Sequence, residues 1–149
     1  MIGCDYPPLM EVTVFNTTVF KDGPNGGNPC PVVPNAGPLS ADQMRSLADE
    51  WGRESAFIER VSFEKNLMSV RFFVPNHEME MCGHGTIAAI TVGKKQGLID
   101  QGKVTVETGV GRIQTLCEDD TENPRVVVNQ QRPEFHFENQ SPTEVARAL

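Results

Sequence analysis

The sequence predicts an α+β fold in which a curved, mixed β-sheet wraps around one central buried helix. Short stretches rich in β-branched and aromatic residues, with alternating apolar and polar side chains, recur along the chain. Thirteen glycines and eleven prolines supply turns at a density suited to strands rather than to a helical bundle. The segment Gly85–Gly97, GTIAAITVGKKQG, is almost wholly apolar through its first half, as expected of a helix buried against a sheet.

Taken in order, Met10–Phe20 (MEVTVFNTTVF) reads as the first strand. KDGPNGGNPCP is a loop dense in Gly, Pro and Asn, followed by a short apolar stretch around Val32 and Val33. LSADQMRSLADEWG is a helix: Ser40 can cap it, Met44, Leu47, Ala48 and Trp51 share one face, and Gly52 closes it. ESAFIERV and LMSVRFFVP are strands, the second stopped by Pro75. After the buried helix, KVTVETGVGRIQTLCE is a hairpin turning at Gly109–Gly111, and PRVVVNQQRPEF is one more strand. SPTEVARAL, from Ser141 to Leu149, has the Ser cap, the proline at the first helical position and the early glutamate that begin a helix. The order ββαββαβββ followed by α fits one α+β lobe over residues 1–138, with 139–149 as a linker and the start of a second lobe.

Composition narrows the function classes. With 149 residues the chain can bury a core of its own. A net charge of -7 opposes nucleic acid and anionic membranes as partners, since both repel such a chain at long range. No apolar run approaches a membrane span, and MIGCDYPPLMEV lacks the basic and apolar regions of a signal peptide, so the expected setting is cytoplasmic. Cys4, Cys30, Cys82 and Cys117 show no CxxC spacing, which points away from a disulfide framework and from a structural zinc site.

Chemistry concentrates in MEMCGHGTIAA, Met79 to Ala89. A helix start offers orphan N–H donors and a positive dipole end, and Gly83 and Gly85 allow a ligand to approach the backbone. Thr86 adds a hydroxyl. Such a cradle suits a carboxylate, or the enolate formed when a proton leaves the carbon beside one. Cys82 at a helix N-terminus is expected to have a lowered pKa, and His84 is suited to proton transfer near neutral pH. The plainer alternative makes Cys82 a small buried hydrophobe, His84 a cap and the glycines aids to packing; for a motif this short taken alone, that reading is the one favoured. Glu54, opening a strand directly after a helix, is placed to reach a cleft, or else to pair with Arg53 or Arg71. Glu78 and Glu80 read as rim charges, His77 as a polar turn residue and His136 as structural.

VFKDGPNGGNPCPVV, RESAFI and VRFFVPNHEMEMCGHGTIAA occur in the order and spacing of the first lobe of the phenazine-biosynthesis (PhzF-type) isomerase family. The chain resembles that family, which has the diaminopimelate epimerase fold, and Cys-Gly-His-Gly-Thr-Ile is similar, more distantly, to proline racemases. The resemblance implies proton movement without cofactor or metal. Glu54 matches the family's general acid/base in Glu-x-x-Phe, His84 its histidine, and Cys82 the proton-transferring cysteine of epimerase and racemase relatives. Asn28 matches a position near the substrate, and Gly83, Gly85 and Thr86 complete the expected binding set.

The family has two similar lobes with the active site between them, and this sequence matches the first. The expected partners are therefore a small carboxylate-bearing substrate and either a second copy of the chain, as a homodimer, or a separate second-lobe polypeptide. A lobe that only binds a ligand or partner is the alternative function. A thiol hydrolase built on Cys82 and His84 ranks third: residues two apart at a helix start usually diverge, and no orienting Asp or Asn is identifiable.

Overall fold

The computed structural model describes residues 11–118, 124–130 and 132; the helix expected at Ser141–Leu149, His136 and Cys4 lie outside these. The elements are β1 (Phe15–Val19), β2 (Asn28–Val33), α1 (Ala41–Trp51), β3 (Ser55–Ser62), β4 (Leu67–Val74), β5 (His77–Met79), α2 (Gly83–Lys95), β6 (Gly102–Thr108), β7 (Gly111–Glu118) and β8 (Arg125–Val128). They form one mixed sheet in the order β1-β2-β3-β4-β6-β7-β8, with β5 paired to β4. The sheet curls so that α2 touches β1 at one edge, β8 at the other and β2, β3 and β4 between them. The expected α+β class, a curved mixed sheet around a central buried helix, is the architecture found.

Two pairings are parallel, β2 with β3 and β4 with β6, and each is bridged by a helix. Such crossovers are right-handed in nearly all proteins. Both step the same way across the sheet, but β3 and β4 run antiparallel, so the same hand places α1 and α2 on opposite faces. Side-chain alternation follows. Val32, Ala56, Ile58, Val70 and Phe72 point inward to pack on Ala88, Ala89 and Ile90 of α2. Val33, Phe57 and Phe73 point outward and pack on Met44 and Ala48 of α1. Trp51 stacks on Phe57 with centroids 6.2 Å apart, closing this outer layer.

A bulge at Glu59 changes the phase of β3: Ile58 pairs with Val70, but the next pair is Arg60 with Ser69. Inward residues are Ala56 and Ile58 before the bulge and Val61 after it, where unbroken alternation would have turned Arg60 inward.

α1 forms as its sequence indicates. Ser40 accepts from the Gln43 N–H at 3.3 Å while its own N–H donates to Gln43 Oε1 at 2.8 Å, and Gly52 ends the helix at φ 61. Several elements differ from expectation. β1 begins only at Phe15, with residues 11–14 outside it, and β8 ends at Val128. β2 begins inside the expected loop; Pro29 and Pro31 are two apart, so their missing N–H groups lie on one side of the strand, and pairing with β3 involves only Val32 and Val33. β5 was not foreseen because three residues are too few to show a period. α2 starts at Gly83, two residues before the expected start, because Cys82 serves as its N-cap.

Candidate active site

Glu54 and α2 meet through the topology just described. Gly52 in the left-handed region turns the chain out of α1, and Glu54 follows at the mouth of β3. By strand parity Glu54 shares the inner face with Ala56 and Ile58, the face turned toward α2. Cys82 is extended, at φ -140 and ψ 112, and accepts the Gly85 N–H on its sulfur at 3.4 Å. Its carbonyl accepts both the N–H and the hydroxyl of Thr86, at 2.9 and 2.8 Å. The capping thiol and the first turn are thus fixed as one unit.

Three of the residues singled out in the sequence come together here. Cys82 Sγ lies 3.3 Å from His84 Nδ1, and His84 Nε2 lies 3.1 Å from Glu54 Oε2. The imidazole therefore stands between thiol and carboxylate. The His84 side chain is only 10% exposed, while Glu54 is 43% exposed and opens the cluster to solvent. Although Nε2 is close to the carboxylate, its direction is not aligned for a hydrogen bond, so the contact is electrostatic and a water-shielded ring nitrogen keeps unused bonding capacity.

The expected lowering of the Cys82 pKa is not what this environment produces. Burial raises it, the Glu54 charge adds to the rise, and the Gly85 and His84 N–H groups only partly oppose these effects. Removing the thiolate from water outweighs the helix terminus. The thiol and Nδ1 are in hydrogen-bond contact, with donor and acceptor set by the imidazole tautomer.

The remaining candidates separate by position. Gly83 is open: a Cβ built there meets nothing within 4 Å. Gly85 faces inward, where a Cβ would lie 2.9 Å from Phe72 Cδ1 and 3.1 Å from Cys82 Sγ. Thr86 is fully buried with its hydroxyl directed to the Cys82 carbonyl. Asn28 is exposed at the start of β2, on the same strand face as Cys30 and Val32. Arg71 is held bidentately by Glu78 at 2.7 and 2.6 Å and reaches Glu59 at 3.3 Å, so those two carboxylates are its partners and Glu54 faces His84 instead. This pairing also holds the Glu78 carboxyl below its ordinary value. His77, expected on a turn, opens β5 instead, and its Nδ1 meets Asn76 Oδ1 at 2.6 Å on the exposed surface.

Sequence reasoning missed Cys30. It is buried in the inner core with Cys82, and its thiol is pushed up to about 12 by burial first, then by Cys82, with Glu54 also contributing. Its place two residues after Asn28 on one strand face was the available signal. The geometry also removes the stated objection to a thiol nucleophile: thiol and imidazole converge, and Glu54 stands third in line. Burial of the thiol and its raised pKa are what now weigh against that chemistry.

Residues 17–149 match the family described as "Phenazine biosynthesis-like protein" (PhzC-PhzF). A Bacillus subtilis relative named "Uncharacterized isomerase YfhB" is 28% identical over 129 residues, 85% of this chain and 43% of its own length. The crystal structure of a Bacillus anthracis phenazine biosynthesis protein of the PhzF family is similar at a TM-score of 0.71 and 29% identity, over 93% of this chain and 47% of that one. A hydroxyproline epimerase from Agrobacterium vitis, solved with bound trans-4-hydroxy-L-proline, has a TM-score of 0.51 at 14% identity over 67% of this chain and 37% of its own, a likeness of fold. The chain thus spans less than half the length of these proteins.

Proposed function

We propose, for a chain that belongs to the phenazine biosynthesis-like (PhzC-PhzF) family with its isomerase relatives, that it supplies one half of a site moving a proton on a small carboxylate-bearing metabolite. The observation that carries this reading is the line Cys82–His84–Glu54, with contacts of 3.3 and 3.1 Å. Glu54, the most exposed of the three, takes a proton from carbon. The electron pair passes into the adjoining carboxylate as an enolate, which the positive end of α2 stabilises beside Gly83, where no side chain blocks the approach. His84 fixes the Glu54 carboxylate and joins it to the Cys82 thiol, so that the proton can return to a second carbon or to the opposite face. Thr86 holds the Cys82 carbonyl, and Asn28 is the remaining candidate for contacting substrate.

The reaction needs no organic cofactor or metal in this scheme. A second lobe completes the cleft; the chain's coverage of less than half of its relatives supports this part. Free thiols at Cys30 and Cys82 support a reducing, cytoplasmic setting, and among the described residues no helix is long and apolar enough to cross a membrane.

The test is solvent-deuterium incorporation into candidate amino and hydroxy acids, with Glu54→Gln beside the unmodified chain and ligand affinity measured in parallel. Loss of exchange by about 10²–10⁴-fold with affinity little changed supports the proton shuttle. A change in affinity alone supports the binding-lobe alternative. The 3.3 Å thiol–imidazole contact favours one further reading, a thiol nucleophile, for which a covalent acyl adduct on Cys82 found by mass spectrometry would be the sign.

A further inference from the structure

The cluster that lines up a proton relay is also a set of soft and borderline metal donors. One atom each from Glu54, Cys82 and His84 can be chosen so that all lie within 4.8 Å of one another. Tetrahedral zinc, with Zn–S near 2.3 Å and Zn–N or Zn–O near 2.0–2.2 Å, requires ligand atoms roughly 3.3–3.7 Å apart. Only the contact of the nitrogen that ligates counts toward that spacing, 3.1 Å to Glu54 for Nε2 or 3.3 Å to Cys82 for Nδ1, and the other pairs close from within 4.8 Å. Glu54, exposed at the mouth, is the member free to close the rest.

A second observation points to a ligand. His84 Nε2 is sealed from water, belongs to a side chain nine-tenths buried, and lacks an aligned partner even though a carboxylate oxygen is 3.1 Å away. An electropositive centre drawing on both groups would satisfy it.

We propose that Glu54, Cys82 and one ring nitrogen of His84 form a zinc site that takes the metal at the expense of the proton relay, with solvent as the fourth ligand. Thiolate and imidazole favour zinc over magnesium or calcium, which prefer oxygen ligands. As the Zn–S bond forms, the thiol proton passes to solvent. The metal then occupies the lone pairs with which Glu54 and His84 would accept a proton. Ligation does not depend on the isomerase reading; the loss of turnover does.

Binding is measured on the chelator-treated full chain, by calorimetry with Zn²⁺ and by absorbance with Co²⁺, whose thiolate charge-transfer band reports the sulfur ligand. One ion per site with a Co²⁺–thiolate band is expected. Cys82→Ser should abolish the band. Glu54→Gln, an exposed change compatible with folding, should weaken binding at least as much as the roughly 10–100-fold seen on losing an outer-shell partner. Cys30→Ala should keep the band. Binding that is absent, or indifferent to Cys82→Ser and Glu54→Gln, overturns the site. If metal-free protein carries out exchange, stoichiometric Zn²⁺ should suppress it and chelator restore it. Exchange that persists in the zinc-loaded protein overturns the blocking role, whereas zinc bound to a chain inactive in every exchange assay counts against the isomerase reading and leaves the metal site standing.

Discussion

Gly83 and Gly85 sit two residues apart in the first turn of α2, and replacing each by alanine should have opposite effects. At Gly83 the new methyl meets nothing within 4 Å, so what remains is the helix preference for alanine over glycine, at most about 1 kcal/mol in a helix interior and less in the first turn. At Gly85 the methyl would lie 2.9 and 3.0 Å from the Phe72 ring and 3.1 Å from Cys82 Sγ. Phe72 is fully buried against α2, so the ring cannot swing into solvent. Overpacking of this kind costs about 1–3 kcal/mol. After the propensity gain, Gly85→Ala should destabilise by up to about 2 kcal/mol while Gly83→Ala is neutral or slightly stabilising. Urea unfolding followed by circular dichroism reads the difference as a midpoint gap on the order of 1 M, given slopes of about 1–3 kcal/mol/M. Coincident midpoints would refute the packing assignment, because they would mean that the ring and the sulfur yield without penalty. Function should divide the other way: Gly83→Ala narrows the approach to the helix terminus and should weaken carboxylate binding even though the protein is no less stable.

Two further expectations concern stability. Cys30 keeps its proton in the folded chain to about 12, against an ordinary thiol value of 9.0. Its contribution is fully present below pH 9 and is lost as pH rises from there toward 12, because the unfolded chain ionises first. Unfolding free energies of the unmodified chain should therefore fall over that range more steeply than those of Cys30→Ala, and parallel slopes would rule this out. Ser40→Ala removes the hydroxyl arm of the capping box on α1, while the backbone N–H that donates to Gln43 Oε1 stays, and should cost about 1 kcal/mol, a drop of roughly 2–4 °C in Tm by calorimetry. An unchanged Tm would mean that solvent serves the Gln43 N–H equally well.

What the sequence disclosed depended on the range of the interaction concerned. α1 was readable to the residue at both ends because Ser40, Gln43 and Gly52 act on their own turns. β4 and the β6–β7 hairpin were readable because an apolar stretch stopped by Pro75 and the turn at Gly109–Gly111 are local signals. β2 was masked by prolines that are tolerated only because of where its partners lie, a tertiary fact. At the site, Cys82 and His84 announced themselves as neighbours, but Glu54 lies 28 residues before Cys82, and only the family resemblance joined them. The direction of the Cys82 shift was missed because a linear sequence displays the helix terminus but not the depth of burial. Cys30 was missed for a related reason: its spacing from Asn28 places it on that strand face, but its nearness to Cys82 arises only when β2 and α2 pack.

The bulge at Glu59 gives β3 two independent settings along its length. The segment that carries Ala56 and Ile58 inward is set by its pairing with Val70 and Phe72, while the far segment takes its phase from the turn near Asn66. A residue gained or lost in that distant turn can be absorbed by remaking or removing the bulge, and the orientation of Glu54 toward His84 need not change. The strand thus insulates the end that leads from Glu54 from length variation at its other end.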